Sequence, residues 1–355
     1  MYPGLALANA LRERGHRVSF LGTKGGLERR LVSDAGFDFR EIGARPFVRG
    51  LSVAALRAPA AAVASVKHAR PVVREADVVV GLGGYVSVPA VLAARKDGVP
   101  SVLHEQNAVP GLANRRLAWM SGAVGLSFAE AGHFFPRRTR LVLTGNPVRE
   151  EILRVRTERD ALAKEARIEL MLDDARRTVL IFGGSQGALH IDRAAVGACR
   201  LLSARSDLQV VLITGPAHLG RVREGLPSKS GLLIRPFAYL ERMELAYACA
   251  DLIVARAGAT TIAEVTACGL PALLVPYPYA TRRHQEANAR ALQRTGGASI
   301  LLDEQLSPQT LAERIDGLTG DGERLTLMGE RSSAFGHPDA AARVADLVEG
   351  VGTRR

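Results

Sequence analysis

Residues 178–192 read TVLIFGGSQGALHID: five strand-forming residues, a turn with glycine at 183, 184 and 187, then the start of an amphipathic segment. That order predicts a buried strand, a tight turn and a helix, the repeating unit of a parallel α/β sheet. Bare glycines let backbone N–H groups approach a ligand, and a helix start favours an anion such as a diphosphate. The spacing is neither the dinucleotide GxGxxG nor a P-loop, because no GK[ST] follows. A tight turn explains the glycines alone, but Ser185 and Gln186 exceed what a turn requires.

Working outward, the same pattern recurs along the chain. After TVLIFGG come QVVLITG, LLIRPF, ADLIVARAG and ALLVPYP; before it come RVSFL, DFREI, ADVVVGLG, SVLHEQ, AVGLSF and RLVLTGNP. Each run is bounded by helical patterning, which predicts two α/β halves of doubly wound, parallel type. The GNPVREEI stretch at 145–152, where a strand gives way to a charged helical segment, marks the boundary. The expected domains are 1–148 and 149–335, with 336–355 a C-terminal helix packing back on the first. At the front, Leu5–Arg14 reads as an amphipathic helix that no strand or glycine turn precedes.

The composition narrows the partners. Residues 1–150 hold 21 Lys and Arg against 11 Asp and Glu, and the remainder holds 26 against 25. A basic half beside a neutral half suggests one anionic partner surface. Aromatics are only 5%, with no RNA-binding signature, so an anionic membrane face is favoured over nucleic acid. Solvated arginine faces are the plain alternative. No apolar run approaches the ~20 residues that span a bilayer. Cys199, Cys249 and Cys268 lack metal-ligand spacing and read as buried apolar residues of a reducing cytoplasm.

Ligands of doubly wound sheets bind beyond the carboxyl ends of the strands, so the turns there are the candidate sites. GLGGYVSVPA (81–90) follows one strand, and SVLHEQNAVPG places His104, Glu105, Gln106 and Asn107 at the end of the next. That cluster is rich in groups able to hold and deprotonate a hydroxyl. In the second half, Gly258 closes a turn after ADLIVARAG, and Thr261 with Glu264 fits a T-x-x-E capping box. A carboxylate at Glu264 also suits the two hydroxyls of a ribose, although spacing alone favours the cap. His284, Gln285 and Asn288 share a helical face suited to sugar hydroxyls or to solvent. No metalloprotease, nucleophile-elbow or paired-cysteine motif is present, which points to group transfer between bound polar ligands with no metal required.

Taken together, GLGGYVSVPA, VLHEQNAVPGLANRRLA, LTGNPVR, FGGSQGA, ADLIVARAGATTIAEV and PYPYATRRHQEANA resemble the motifs of the MurG family of bacterial N-acetylglucosaminyltransferases. They run in the family's order from residue 2 to about residue 300, and HEQN with GGSQGA is highly specific. The resemblance implies a GT-B fold, two Rossmann-like domains with a cleft between them. It implies an inverting transfer of N-acetylglucosamine from UDP-N-acetylglucosamine to the 4-hydroxyl of undecaprenyl-diphospho-muramoyl-pentapeptide. The oxocarbenium-like charge of the transition state follows by analogy with glycoside hydrolysis, and domain closure would orient the two substrates.

Carried over by position, Ser185, Gln186 and Gly187 contact the diphosphate or the sugar, Arg149 approaches the donor and Leu240 lies under the uracil. Two extra residues between Pro236 and Met243 depart from the family's pattern near Leu240. Gly258 belongs to the donor turn, Glu264 becomes the ribose ligand, and Gln285 and Asn288 bind the N-acetylglucosamine; His284 stands where the family has Gln. Tyr85, His104, Glu105 and Asn107 line the acceptor side, with Tyr85, His104 and Glu105 the catalytic candidates. Arg70, Arg74, Arg116 and Trp119 are expected to rest on anionic lipid headgroups, which places the protein peripherally on the cytoplasmic face of the bacterial cell membrane. The sequence requires no cofactor, and stimulation by a divalent cation is compatible with it. The resemblance also implies a strand and a GGTGGH-like, histidine-bearing loop ahead of residue 2; a chain lacking them is expected to bind UDP and turn over poorly. Two other classes fit part of the pattern: a UDP-N-acetylglucosamine epimerase, against which HEQN and the basic half argue, and a non-catalytic nucleotide-sugar-binding protein.

Overall fold

Parallel strands buried on both faces explain why the apolar runs are continuous rather than alternating. The computed structural model describes residues 1–23, 27–42, 58–184 and 188–353, with the side chains of 58–63 and of Tyr85 outside the description. The chain forms two units, one of Met1–Arg149 with Pro338–Arg355 and one of Glu150–His337.

The first unit opens with α1 (Tyr2–Glu13), with Pro3 in its first turn, followed by β1 (Ser19–Gly22), α2 (Leu27–Asp34) and β2 (Asp38–Glu41). Then come α3 (Ala58–Arg74), β3 (Val79–Gly81), α4 (Gly84–Asp97), β4 (Ser101–Glu105), α5 (Leu112–Leu117), β5 (Ala123–Leu126) and β6 (Leu141–Leu143). β1 and β2 pair as a parallel ribbon, and β3–β4–β5–β6 form a parallel sheet in that order. The C-terminal helix, numbered α14 (Ala340–Gly352), closes this unit: Val344, Leu347, Val348 and Val351 pack with Leu7, Leu11, Val102 and Ala123. At its rim Arg14 binds Asp346 (2.7 Å) and Glu349 (2.9 Å), and His16 meets the same Glu349 at 2.7 Å.

The second unit begins with α6 (Glu150–Glu169), then β7 (Arg177–Phe182), α7 (Leu189–Leu201), β8 (Leu208–Ile213), α8 (Leu219–Gly225), β9 (Leu233–Phe237) and α9 (Met243–Cys249). It continues with β10 (Leu252–Ala255), α10 (Ala259–Ala267), β11 (Ala272–Leu274), α11 (His284–Thr295), β12 (Ala298–Ile300), α12 (Pro308–Thr319) and α13 (Gly322–Phe335). The six strands are parallel in the order β12–β11–β10–β7–β8–β9. The chain therefore moves one way from β7 to β9 and the other from β10 to β12, leaving a switch point between β7 and β10. Val179, Ile181, Val210, Leu212 and Val254 form the centre of the core, covered by α7 and α12.

β12 is absent from the sequence reading, because a three-residue strand after Gly296–Gly297 is too short to show periodicity. The three cysteines are free and buried. Among the described residues no helix is long and apolar enough to cross a membrane.

Candidate functional site

In the first unit all five residues of β4 are buried, and the strand ends on the polar cluster. His104 is fully buried, and its Nε2 lies 2.9 Å from the Gly145 carbonyl oxygen. A carbonyl only accepts, so Nε2 carries the proton, and Nδ1 is left as a buried lone pair without a partner. Burial lowers the imidazole pKa to about 4 against a weaker opposing effect of the Gly145 bond, so His104 is neutral at pH 7.

Glu105, also buried, has its oxygens filled. Oε1 accepts the Asn107 N–H (3.0 Å) and a longer contact from the Asn107 amide (3.5 Å); Oε2 accepts the Gly111 N–H (3.1 Å) and Asn114 Nδ2 (2.9 Å). The carboxylate thus closes residues 105–111 into a ring. Asn114 also donates to the His104 carbonyl (3.2 Å), joining α5 to both cluster residues. Gly83, Gly84, His104, Gln106, Asn107 and Asn114 help to line a recess of about 190 Å³. Tyr85 lies in α4, with its side chain outside the described residues.

In the second unit the switch point is built from two turns. A Cβ on Gly183 would lie 2.3 Å from that of Ala188, and Gly184 has φ +106°, so the chain folds back onto the start of α7 only with glycine there. Ser185, Gln186 and Gly187 lie outside the described residues. Across the switch point α10 starts at Ala259 with Gly258 as its extended cap, and no side-chain cap bond is made. The predicted T-x-x-E box is therefore not formed: the helix begins before Thr261, which already lies in its first turn. Glu264 is buried instead and accepts the Tyr247 hydroxyl at 2.9 Å, while the Tyr247 ring meets Phe182, the last residue of β7, edge-on.

Behind this edge lies a second polar set. Arg256 donates to the carbonyls of Val275 (3.2 Å) and Pro276 (3.3 Å) and pairs with Asp303, whose other oxygen meets His190 Nδ1 at 2.8 Å. Asn288 is fully buried and donates to the Ala257 carbonyl at 3.3 Å, which places it under the Arg256–Gly258 turn. Gln285 Oε1 accepts the Tyr277 N–H (2.9 Å), and His284 Nδ1 donates to the Thr281 carbonyl (2.8 Å). Just before them Arg282 and Arg283 both sit in the left-handed region, at φ +56° and +51°. Leu240, half-buried, lies in the loop between β9 and α9. Arg149, in the first unit, stacks over the Tyr2 ring at 4.2 Å.

The four residues expected at a membrane divide into two pairs. Arg70 binds Asp97 through two nitrogens, and Arg74 reaches the same carboxylate at 3.1 Å. Their hydrogen bonds hold the Asp97 carboxyl well below the usual range; Arg70 is mostly buried in this pairing, whereas Arg74 keeps most of its side chain exposed. Arg116 and Trp119 are exposed, Trp119 by 68%, beside exposed Leu112 on the same short segment. Arg49 and Arg57 of the basic first half lie outside the described residues.

Sequence reasoning missed Asn114 and Tyr247. Asn114 stands three residues before Leu117, both buried on one face of α5, and a polar residue at an apolar-face position was the available signal. Tyr247 lies in the apolar segment MELAYAC, which gives no hint of a carboxylate partner.

Similarity to known proteins bears on the family and the fold. Models of the glycosyltransferase family 28 N-terminal and C-terminal domains match residues 1–125 and 178–344. The UDP-N-acetylglucosamine--N-acetylmuramyl-(pentapeptide) pyrophosphoryl-undecaprenol N-acetylglucosamine transferase of Halothermothrix orenii is 41% identical, over 98% of this chain and 95% of its own. The Bacillus subtilis protein of the same name is 40% identical over the same shares. A crystal structure of MurG from Acinetobacter baumannii superposes with a TM-score of 0.79 at 31% identity, covering 98% of this chain and 95% of that one. A UDP-GlcNAc 2-epimerase from Neisseria meningitidis superposes at 0.67 with 14% identity over 99% and 98%, a likeness of fold alone. The chain belongs to the family of N-acetylglucosamine transferases represented by the first two relatives, within glycosyltransferase family 28. It is a hexosyltransferase of peptidoglycan synthesis with the GT-B fold of two Rossmann-like domains.

Proposed function

We propose that the first unit holds a lipid-linked muramoyl-pentapeptide, the second holds UDP-N-acetylglucosamine, and the protein joins them with inversion into a β-1,4-linked disaccharide. The observation that carries the acceptor side is the recess at the end of β4, lined by Gln106, Asn107, Asn114 and His104, whose buried Nδ1 has no partner within the fold. A neutral imidazole with that lone pair accepts a hydrogen bond from a sugar hydroxyl and so orients its oxygen for attack. Glu105 serves as a positioning residue: it fixes the loop that carries Asn107, and Tyr85 is assigned to the acceptor on the resemblance alone.

On the donor side, charge grows on the diphosphate as the sugar–oxygen bond breaks. The N-terminus of α7 and the glycine turn before it, with Ser185, Gln186 and Gly187, receive that charge. Glu264 binds the ribose hydroxyls, with Tyr247 holding one carboxylate oxygen in place. Gln285 and His284 face the sugar, Asn288 supports Gly258 and its turn from below, and Leu240 packs on the uracil. Arg116 and Trp119, with Leu112, form a small basic and apolar surface that rests on anionic lipid, where a polyprenyl acceptor resides.

The test is transfer from UDP-N-acetylglucosamine to the lipid-linked acceptor, with the product's linkage determined. Disaccharide formed only when both substrates are present supports the reading. Conversion of the nucleotide sugar to its 2-epimer without acceptor overturns it in favour of the epimerase class.

A further inference from the structure

Asp192 lies in the first turn of α7, one turn beyond the glycine fold-back. Its N–H bonds to the carbonyl of Ala188 (2.9 Å), the residue against which Gly183 packs. Its side chain is 1% exposed. Oδ2 accepts His218 Nδ1–H at 2.6 Å, while Oδ1 has no partner. His218 comes from the turn after β8, where its N–H is tied to the Gly215 carbonyl. One-fifth of its side chain is exposed, so it joins the buried carboxyl to the solvent-facing side of the turn. An acidic side chain is favourable near a helix start when nothing else occupies it. The fold-back at Gly183 and Gly184 that leads to this start is the place the donor reading gives to a diphosphate, so a buried carboxylate with an empty oxygen and a diphosphate compete for the same positive end.

Resting on the donor reading given above, we infer that Asp192 and His218 are a positioning pair that couples nucleotide-sugar binding to the uptake of a proton. The pair carries more negative charge without the donor and sheds it by protonation when the diphosphate arrives. By reciprocity, a donor that raises the pair's proton affinity is itself bound more tightly at lower pH. Burial already pushes the Asp192 carboxyl up to about 6, against the opposing pull of His218 and Arg256, so the exchange falls near neutrality.

The surrounding charges leave this pair as the adjustable element. Arg256, from the turn after β10, is already matched by Asp303, and Asp303 also holds His190 of α7 itself. Arg193 on the same helix, Arg221, Arg223 and Glu224 of α8, and Glu313 and Arg314 of α12 are all exposed to solvent.

UDP-N-acetylglucosamine is the suitable probe, because both its phosphates are diesters and neither titrates between pH 5 and 9. Calorimetric titration in buffers of different ionisation heat counts the protons. The expected result at pH 7 is net uptake of a fraction of one proton per donor bound, with affinity about three- to tenfold tighter at pH 6 than at pH 8. In the Asp192→Asn/His218→Gln double variant, which keeps amide hydrogen bonding between the two positions, uptake and pH dependence both vanish. Binding with no proton uptake by the unaltered protein overturns the inference and leaves the donor site standing, as does uptake that survives in the double variant. Failure to bind the nucleotide sugar at all overturns the donor reading and the inference with it.

Discussion

The two units each bury an acid at the carboxyl edge of a sheet, and they treat it in opposite ways. Glu105 receives two backbone N–H groups and amide contacts from two asparagines, so its charge is spent inside one loop. Asp192 receives one histidine and keeps an oxygen empty. A saturated carboxylate fixes geometry; an unsaturated one responds to what binds beside it. The same contrast separates the histidines, since His104 is neutral and without an acidic partner while His218 is partly exposed and paired to an acid.

Breaking the saturated set has the largest expected effect. Glu105→Ala removes the acceptor of the Asn107 and Gly111 N–H groups and one of the two acceptors of Asn114 Nδ2, which should cost about 3 kcal/mol of stability and remove most transfer activity. Denaturant melts with activity assays check this, and Glu105→Gln, which keeps part of the acceptor set, should fall between.

His104 gives the next effect, and it depends on pH. Its folded pKa lies near 4 and its unfolded value near 6.5, so the folded state binds fewer protons. The stability it permits is present above pH 6.5 and is lost as pH falls toward 4, by at most about 3 kcal/mol. Melts of His104→Gln between pH 4 and 7 should lack that decline. Asp192 slopes the other way: its raised pKa means stability is lost as pH rises through about 6. Asp192→Asn should therefore gain about 1 kcal/mol at pH 8 relative to pH 5. An equal gain at both pH values would break the contrast between the two acids.

Smaller effects sharpen it. Tyr247→Phe removes the hydrogen bond to Glu264 and should cost about 1 kcal/mol, with a few-fold weaker hold on UDP. Arg116→Glu with Trp119→Ala should weaken binding to anionic vesicles by a few-fold while leaving UDP affinity unchanged. Arg70→Gln should instead lower the melting temperature, because its partner is Asp97.

Much of this was legible in the sequence, because parallel strands buried on both faces leave continuous apolar runs that end in glycine turns. TVLIFGG and SVLHEQ thus located both candidate edges. What stayed hidden was side-chain partnering over long separations: Asp192 with His218, Tyr247 with Glu264, and Arg70 with Asp97. The Thr261–Glu264 pattern misled for a local reason, since a spacing shared by a cap and a helix interior does not say where the helix begins.

The central claim is a division of labour, acceptor on the first unit and donor on the second. Steady-state transfer kinetics of His104→Ala and Glu264→Ala, with each substrate varied in turn, test it most directly. The account predicts that His104→Ala raises KM for the lipid-linked acceptor with donor KM unchanged, and that Glu264→Ala does the reverse. If both substitutions raise the same KM, the division of labour is wrong.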